Sequence, residues 1–452
     1  MTASDSGILA VVRGTTTSRW VLVILRIVAI FGVAAVALLG VQRDQVALPT
    51  FSVLDEAAHF DYVMKLAEGQ IPAWGSTFEQ ETMLIADCLG DPLAAKPLDC
   101  AVRDRVPTSF PARGYSYEAQ QPPLGYLFYL PGVWLSTGLS PAATLNEVRD
   151  VGGVLLVLVA GLLLFAISTQ LGLRFWRTLL MSSIVLLAPL SIYAFATVSN
   201  DAATLIVSLA FISLLLAARP RGTRAAILLG AAAGVLLGAT KPYTVLLPLG
   251  VLAAFLFLDW LIRNRTRAGF RALFRRSDVR FVLASAAASL IVTGAFTAWQ
   301  AVRGSVSSAQ VLSSLLGAPK GAFVNPKTVV SSIANLANNW VGGSNGLLSV
   351  SAAFVALNAV LLILLGVAFA RQRSVVTDRA RLFATAWAFI VPAFGVAWPL
   401  LLVLQGGYDY DAPARYGLLI LPLAAVAATE AVRRSLRSAL PDAVTGAAER
   451  QA

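Results

Sequence analysis

Apolar stretches of about 20 residues recur through most of the chain, and they constrain its fold more than any other feature. An α-helix needs about 20 apolar residues to cross the hydrocarbon core of a bilayer. Stretches of this kind occupy ten parts of the chain, residues 20–40, 146–168, 178–197, 201–218, 223–240, 242–262, 281–302, 347–370, 382–404 and 413–432. Only 13% of the residues are charged and 57% are hydrophobic, whereas soluble domains average about 25% charged residues. The sequence therefore predicts an all-α polytopic membrane protein with about ten transmembrane helices.

Clusters of arginine predict which side of the membrane each loop faces. They follow the second, fourth, sixth, eighth and tenth stretches, and the segment before the first stretch is also basic. Because cytoplasmic loops carry an excess of Lys and Arg, both termini are expected in the cytoplasm, with residues 433–452 as a cytoplasmic tail. The first stretch is longer than the core of a cleavable signal peptide and is expected to remain as a helix. The net charge of +11 then reflects topology, and nucleic-acid binding, which needs a polar body to carry a basic patch, is not expected.

The same topology places two long loops outside the cell, residues 41–145 and 303–346. Within the first loop, residues 124–138 are apolar but short, and Pro131-Gly132 interrupts them. Counting them as a span would move every later arginine cluster outside. A short apolar segment rich in Tyr and Trp is typical of the membrane interface, so the first loop is expected to contain juxtamembrane segments. The second loop, with its Asn and Gly residues, is either a binding or lid loop or a plain connector.

The first outer loop concentrates reactive side chains. As far as residue 123 it holds half of the chain's 24 acidic residues and its only histidine. Asp55, Glu56 and His59 fall at spacings that bring them to one side of a helix, which would give a proton acceptor, a second acid and an imidazole beside the membrane. The alternative is structural, because acidic residues also favour a helix N-terminus. Cys88 and Cys100 share this loop, and an oxidising compartment predicts a disulfide rather than two free thiols.

Further polar residues fall at the same ends of the predicted spans. They are Asp61, Tyr117, Glu118, Gln120, Gln121, Ser199, Asn200, Asp201, Thr240, Lys241, Tyr408, Asp409, Asp411, Arg415 and Tyr416. Structural alternatives exist, because the 199–201 segment is a good helix N-cap and Lys241 can snorkel from a turn. Arg415 can pair with Asp411 one helical turn away. Asp409 and Asp411 have the spacing of a weak metal-binding pair, which an ordinary loop explains as well.

Taken together, these residues fit a site that holds an anion and a hydroxyl group at once. Lys241 and Arg415 could hold a lipid phosphate at the bilayer surface. Asp55 could take the proton from an attacking hydroxyl group. That arrangement suits the transfer of a sugar from a lipid phosphate to an acceptor.

Five segments, in this order, resemble the motifs of one enzyme superfamily. They are Asp55-Glu56-Ala57-Ala58-His59-Phe60, Gln121-Pro122-Pro123-Leu124, Ser199-Asn200-Asp201-Ala202, Thr240-Lys241-Pro242 and Ala414-Arg415-Tyr416. The set is similar to that of the GT-C superfamily of polyprenyl-phosphate-dependent membrane glycosyltransferases. This group contains protein O-mannosyltransferases, lipid A aminoarabinose transferases and actinobacterial cell-wall mannosyl- and arabinofuranosyltransferases.

The resemblance implies one transmembrane domain over residues 1–432 and assigns roles to its polar residues. It implies that Asp55 is the catalytic base and that Glu56 supports it, and His59 is expected to orient the base or the acceptor. The expected substrate-binding residues within its motifs are Lys241, Arg415, Tyr416, Asn200, Asp201 and Gln121, and Tyr117 is added from the polar residues at the same ends of the predicted spans. Gln121 departs from the pattern, because many relatives have a histidine or lysine before the two prolines.

The expected function is that of an inverting glycosyltransferase on the outer face of a bacterial plasma membrane. The donor would be a polyprenyl-phosphate sugar, and the acceptor a hydroxyl group of a cell-envelope glycan, glycolipid or protein. Its expected partners are membrane lipids and these two substrates; the sequence predicts no cofactor and no metal ligands, and a need for a divalent metal stays open. Two alternatives remain. One is a lipid or glycolipid transporter, against which the scarcity of charge at mid-depth counts, and the other is a non-catalytic subunit of a cell-wall assembly complex.

Overall fold

A computed structural model gives the structure of the protein. It describes residues 5–52, 55–90, 100–101, 105–262, 273–316, 324–337, 378–406 and 412–438. Helices dominate these ranges, and no β-strand occurs in them beyond a single bridge between Thr77 and Tyr115. An all-α fold follows, as the apolar pattern predicts.

The α-helices are numbered here in chain order. The first eight are α1 (Asp5–Ala47), α2 (Glu56–Ala67), α3 (Gln80–Leu89), α4 (Leu130–Leu135), α5 (Pro141–Leu171), α6 (Phe175–Leu186), α7 (Pro189–Ala196) and α8 (Asp201–Ala218). The next seven are α9 (Thr223–Gly238), α10 (Leu246–Ile262), α11 (Ser277–Arg303), α12 (Ser308–Leu316), α13 (Pro326–Ala337), α14 (Asp378–Gly406) and α15 (Leu421–Ser438). Short 3₁₀ segments lie between them, at Pro107–Ser109, Pro111–Gly114, Tyr117–Gln120, Pro123–Tyr129, Pro242–Val245 and Ala414–Leu419.

Six segments of the described chain are long and apolar enough to cross a membrane. They are Trp20–Ala47, Pro141–Leu171, Asp201–Ala218, Pro242–Asp259, Ser277–Arg303 and Arg381–Val403. Helices α6 and α7 qualify as a seventh only as a pair, because a bend of 58° separates them. A membrane-embedded helical protein is therefore confirmed.

The predicted number of ten spans is not confirmed. The stretch at 347–370 lies outside the described residues. The stretch at 223–240 forms α9, which is shorter than a full span, and the apolar part of 413–432 is limited to Leu421–Glu430. The stretch at 178–197 is divided at the bend between α6 and α7, where Pro189 starts the second helix. Apolarity alone does not register these breaks, because proline and 3₁₀ turns interrupt a helix without making the segment polar.

Residues 124–138 form two short elements rather than a span. They comprise most of the 3₁₀ segment Pro123–Tyr129 and helix α4, which has 6 residues. Trp134 and Leu135 on α4 are largely exposed. Neither element is long enough to cross a bilayer, in keeping with the predicted juxtamembrane segment.

Close packing of α9 against α11 depends on two small residues. Gly230 and Gly234 lie one turn apart on α9, and a side chain at either position would overlap the carbonyl oxygen of Phe281 or Ser285 on α11. Small residues four apart let helix backbones approach closely in membranes. This contact fixes the segment after α9, which carries Lys241.

Helix α8 joins two chemically different ends of the bundle. Asp201 begins the helix, whereas Arg219 follows it and lies 3.5 Å from Asp278 at the start of α11. Eighteen helical residues span about 27 Å, so the acidic start of α8 and this arginine-containing end are far apart. The candidate site described next lies at the end where α8 begins.

Cys88 and Cys100 are joined by a disulfide, as their shared loop predicts. Cys88 lies on α3, and Arg105 forms an ion pair with Asp87 on the same helix at 2.5 Å. The bridge and the ion pair together tie the loop after α3 back to that helix.

Candidate active site

Four charged side chains meet at one end of the bundle, and we call them the charged cluster: Asp55, Asp201, Lys241 and Arg415. Arg415 donates from Nη2 to Oδ2 of Asp55 at 2.5 Å. Its Nε lies 3.6 Å from Oδ2 of Asp201, and Lys241 donates to Oδ1 of the same carboxylate. The members are drawn from four parts of the chain, and Asp55 and Arg415 are 360 positions apart. The structure thus brings together the residue expected to be the base and both expected phosphate-binding cations.

Asp55 stands at the start of α2 in an unusual backbone conformation. Its φ of 63° and ψ of 16° lie in the left-handed region, which few residues other than glycine, asparagine and aspartate adopt readily. Although it occupies the N-cap position of α2, its side chain makes no capping hydrogen bond. It turns instead to Arg415 and to Tyr117, whose hydroxyl group donates to Oδ1 at 3.3 Å. The carboxylate therefore faces the charged cluster rather than serving as a helix cap.

Glu56 lies next to Asp55 but has a different environment. Its carboxylate is fully buried and accepts two hydrogen bonds from Arg149 on α5, at 2.8 and 2.6 Å. It also accepts from the backbone N–H groups of Ser52 at 2.7 Å and Val198 at 2.8 Å. With four donors on its two oxygens, Glu56 holds the chain that carries Asp55 against α5 and the segment before α8. This contact fits the expected supporting role beside Asp55.

Arg149 was not expected from the sequence to belong to this region. It is completely buried, and it also donates to the carbonyl groups of Leu48 at 2.7 Å and Thr50 at 2.7 Å. The sequence does indicate that Arg149 has a partner, because the residue falls inside the predicted span 146–168 and a charge within a span needs one. Its partner, 93 positions away, could not be identified from spacing.

His59 belongs to a second group, which we call the proton group: His59, Glu118 and Tyr126. Nδ1 of His59 lies 2.9 Å from the hydroxyl group of Tyr126 and 3.6 Å from Oε2 of Glu118. The same hydroxyl group lies 3.4 Å from Oε2 of Glu118. All three side chains are buried.

Burial shifts both titrating members of the proton group toward their neutral forms. It lowers the pKa of His59 to about 3, and the positive charge of Lys241 acts in the same direction. Burial likewise raises the pKa of Glu118 to about 8, and the negative charge of Asp55 adds to the effect. A neutral imidazole and a neutral carboxyl group therefore lie beside the charged cluster at neutral pH.

Both cations of the charged cluster are held against aromatic rings. The Lys241 ammonium lies 5.5 Å from the ring centre of Tyr243 and 5.2 Å from that of Tyr416. The Arg415 guanidinium lies 5.7 Å from the ring centre of Tyr416. Lys241 is 3% exposed, so it is a buried, paired cation rather than a snorkelling one. Tyr416, expected to bind substrate, contacts both cations through its ring.

Several polar atoms of the site have no hydrogen-bond partner among the described residues. These atoms are the side-chain nitrogen and oxygen of Asn200, Oε1 of Gln121, and Nη1 of Arg415. Asn200 stands at the N-cap position of α8 without making a side-chain cap, so the capping alternative is not realised by this residue. Unsatisfied buried donors and acceptors cost free energy, and such groups are suited to a polar ligand.

Other residues of the sequence-based set lie elsewhere. Asp61 is buried in its own network, where it accepts from Lys65 and Ser116 at 2.7 Å each. Tyr408, Asp409 and Asp411 fall outside the described residues, and so do the suggested metal pair and the suggested Arg415–Asp411 contact. Among the residues that the structure describes, no group of three or more His, Cys, Asp or Glu side chains is arranged to hold a metal ion.

The site that the structure assembles has the polarity of an anion- and hydroxyl-binding site, with carboxylates, two cations and unpartnered amides close together. We compared the chain with protein-family models, with curated proteins and with solved structures, and none of the three comparisons gave a match.

Proposed function

We propose that the protein is an inverting glycosyltransferase that moves a sugar from a polyprenyl-phosphate donor to a hydroxyl acceptor on the outer face of the membrane. The observation that carries the proposal is the 2.5 Å contact between Asp55 and Arg415, with Lys241 beside them across Asp201. A carboxylate and two cations from distant segments then share one site. The transfer of a sugar from a phosphate uses a proton acceptor and an anion-binding group that are positioned within one site.

The chemical step balances with these residues alone. The acceptor oxygen forms a bond to the anomeric carbon of the sugar while the bond from that carbon to the phosphate oxygen breaks. The proton of the acceptor hydroxyl group goes to Asp55. The electron pair of the broken bond stays on the lipid phosphate, whose growing charge Arg415 and Lys241 stabilise.

The free donors of the site support the assignment of roles. Nη1 of Arg415 has no hydrogen-bond partner among the described residues, so it can donate to the oxygen of an arriving phosphate. Asn200 offers a donor and an acceptor, as a sugar hydroxyl group requires. A planar guanidinium with spare N–H groups is well suited to a phosphate.

The decisive experiment is reconstitution of the purified protein in lipid vesicles with a polyprenyl-phosphate sugar and candidate acceptors. We expect Asp55→Asn to lower the transfer rate by about 10²–10⁴, the usual contribution of a general base. Asparagine tolerates the left-handed conformation at this position, so the variant should fold and insert normally. Near-normal transfer by Asp55→Asn would remove the base assignment.

The same vesicles separate the alternatives. A lipid or glycolipid transporter would move the labelled lipid across the bilayer without releasing sugar, and Asp55→Asn would leave that flux intact. A non-catalytic subunit of a cell-wall assembly complex would show neither transfer nor translocation. Either outcome would contradict the proposed transferase.

A further inference from the structure

The proton group offers an arrangement that the proposed chemistry does not yet use. A single hydroxyl proton, that of Tyr126, lies between two acceptors, Nδ1 of His59 at 2.9 Å and Oε2 of Glu118 at 3.4 Å. It can be donated to only one of them at a time. Which acceptor receives it determines where the proton of the imidazole ring resides.

Two consistent arrangements of these protons exist. When Glu118 is neutral, its carboxyl group can donate to the oxygen of Tyr126, and the tyrosine donates to Nδ1 of His59, so the ring proton is on Nε2. When Glu118 is ionised, its carboxylate attracts the tyrosine proton, and Nδ1 must carry the ring proton to donate in turn. The contact of 3.4 Å between Tyr126 and Glu118 is longer than a charge-assisted hydrogen bond from a hydroxyl group to an ionised carboxylate, which favours the first arrangement.

The surroundings keep the group in one geometry. The ring of Tyr126 stacks on that of Tyr62, with ring centres 4.0 Å apart and planes inclined by 16°. Tyr62 is itself fixed, because its hydroxyl group donates to the carbonyl oxygen of Gln121 at 2.9 Å. The hydroxyl group of Tyr126 therefore stays between its two acceptors.

We propose that Glu118 is a positioning residue, which acts through Tyr126 to keep the ring proton of His59 on Nε2 and so provides an N–H donor for the substrate of the charged cluster. The identity of the substrate in this inference rests on the proposed function, whereas the position of the ring proton does not. Tyr126 on the 123–129 segment is the relay, and Glu118 acts without touching the reacting atoms.

The charges around the proton group are compatible with a neutral carboxyl group at Glu118. The charged groups that act on it are Asp55 before α2, Asp201 at the start of α8, Lys241 after α9 and Arg415 in the 414–419 segment. The same four act on His59. Because the negative charges of the two aspartates offset the positive charges of the two cations, no net positive charge is left to hold an ionised Glu118.

The single histidine of the chain makes the inference directly measurable. The full-length protein, carrying a purification tag without histidine and labelled with ¹⁵N-histidine, gives one pair of ring nitrogen signals in nanodiscs. Solid-state NMR then distinguishes the Nε2–H form of the ring from the Nδ1–H form. The measurement needs neither the sugar donor nor the acceptor substrate. We expect the Nε2–H form at neutral pH and its replacement by the Nδ1–H form as the pH rises above about 8, the pKa of Glu118.

Two variants test the route. Glu118→Gln keeps a donor toward Tyr126 that cannot ionise, so the Nε2–H form should persist over the range in which the wild-type protein changes. Tyr126→Phe removes the relay, and the ring should then show no change linked to Glu118. An Nδ1–H ring at neutral pH, or an unaltered transition in Glu118→Gln, would overturn the inference.

The same set of samples distinguishes failure of the proposed function from failure of the inference on the ring proton of His59. If vesicles show no sugar transfer while the ring responds as expected, the proton arrangement stands and the transferase falls. If transfer occurs, Glu118→Gln should hold its rate at alkaline pH where the wild-type rate declines, whereas a purely structural role for Glu118 would leave the two pH profiles parallel.

Discussion

Asp55 makes two contacts that compete with its proposed task. One carboxylate oxygen accepts from Arg415 at 2.5 Å and the other from Tyr117 at 3.3 Å. The cation that should receive the donor phosphate is thus already bound to the group that should receive the acceptor proton. Arrival of a phosphate at Arg415 would weaken its contact with Asp55 and make the carboxylate available.

This competition predicts that a variant without transfer binds the lipid more tightly. Asp55→Asn removes the anion that competes for Arg415, and we expect its affinity for polyprenyl phosphate to rise about 3- to 10-fold, equivalent to about 0.7–1.4 kcal/mol. Binding of the lipid by the detergent-solubilised protein measures this. Glu68→Gln is the matched control, because it removes one charge from an exposed residue of the same loop. Equal or weaker binding by Asp55→Asn would show that the two anions do not compete.

The raised pKa of Glu118 also predicts how the free energy of unfolding depends on pH. Its pKa is about 8 in the folded protein against an ordinary value of 4.5, so between these values the folded state keeps a proton that the unfolded state has released. Its contribution to stability is fully present below pH 4.5 and is lost as the pH rises through 8. We expect Glu118→Gln to show a shallower fall in unfolding temperature over this window than the wild-type protein. Identical slopes for the two proteins would contradict the shifted pKa.

His59 acts in the opposite direction. Its pKa is about 3 in the folded protein against an ordinary 6.5, so the unfolded state binds the proton first as the pH falls. Its contribution to stability is present above pH 6.5 and is lost as the pH falls through 3. Comparison of Glu118→Gln with the wild-type protein at each pH cancels this contribution, because both proteins contain His59.

At the scale of helices and segments, the pair formed by Glu56 and Arg149 holds α2 against α5. A buried ion pair is not strongly stabilising in itself, but removing one partner leaves an uncompensated buried charge or an unsatisfied group. The two side chains between them make four further hydrogen bonds to backbone groups of Leu48, Thr50, Ser52 and Val198. The pair therefore organises the chain on both sides of Asp55.

A double-mutant cycle measures this pair. We expect Glu56→Gln and Arg149→Met each to lower the free energy of unfolding by about 3–5 kcal/mol. The double variant should lose less than the sum of the two by about 1–3 kcal/mol, because it contains no unpaired charge. Reversible denaturation in mixed detergent micelles provides the values. Strict additivity would mean that the two residues stabilise the fold independently.

The same scale shows which elements could be predicted from the sequence. Long apolar stretches such as 146–168 and 281–302 became helices α5 and α11, because apolar length is what a membrane span requires. The division of 178–197 at its 58° bend was not predicted, since the direction of a helix depends on packing. Because successive loops alternate between the two sides of the membrane, Asp55 and Arg415 were predicted to lie on the same side. The pairing of Glu56 with Arg149 was not predicted, because it depends on a three-dimensional contact that sequence spacing does not indicate.

At the scale of the whole molecule, the arginine pattern predicts a fixed orientation. The end of α8 with Arg219 should face the cytoplasm and the end with Asp201 the exterior. Both natural cysteines are held in a disulfide, so a single added cysteine provides the only free thiol. Gly222 is exposed and its side-chain position has no neighbour within 4 Å, and Thr137 is exposed at the other end of the bundle.

Labelling of these two positions tests the orientation. A membrane-impermeant maleimide should modify Thr137→Cys in intact cells, and Gly222→Cys only after the membrane is permeabilised. The wild-type protein, kept under non-reducing conditions, is the control for background labelling. Modification of Gly222→Cys in intact cells would place the charged cluster on the cytoplasmic side and exclude an external transferase.

The wide separation of Asp55 and Arg415 along the chain has a consequence for biosynthesis. The aspartate leaves the ribosome early, whereas the arginine that contacts it is translated 360 residues later. During membrane insertion, the nascent polypeptide therefore lacks a complete site until almost all of it has been synthesised. A product truncated before Arg415 would retain the early helices and still lack one of the two cations of the charged cluster.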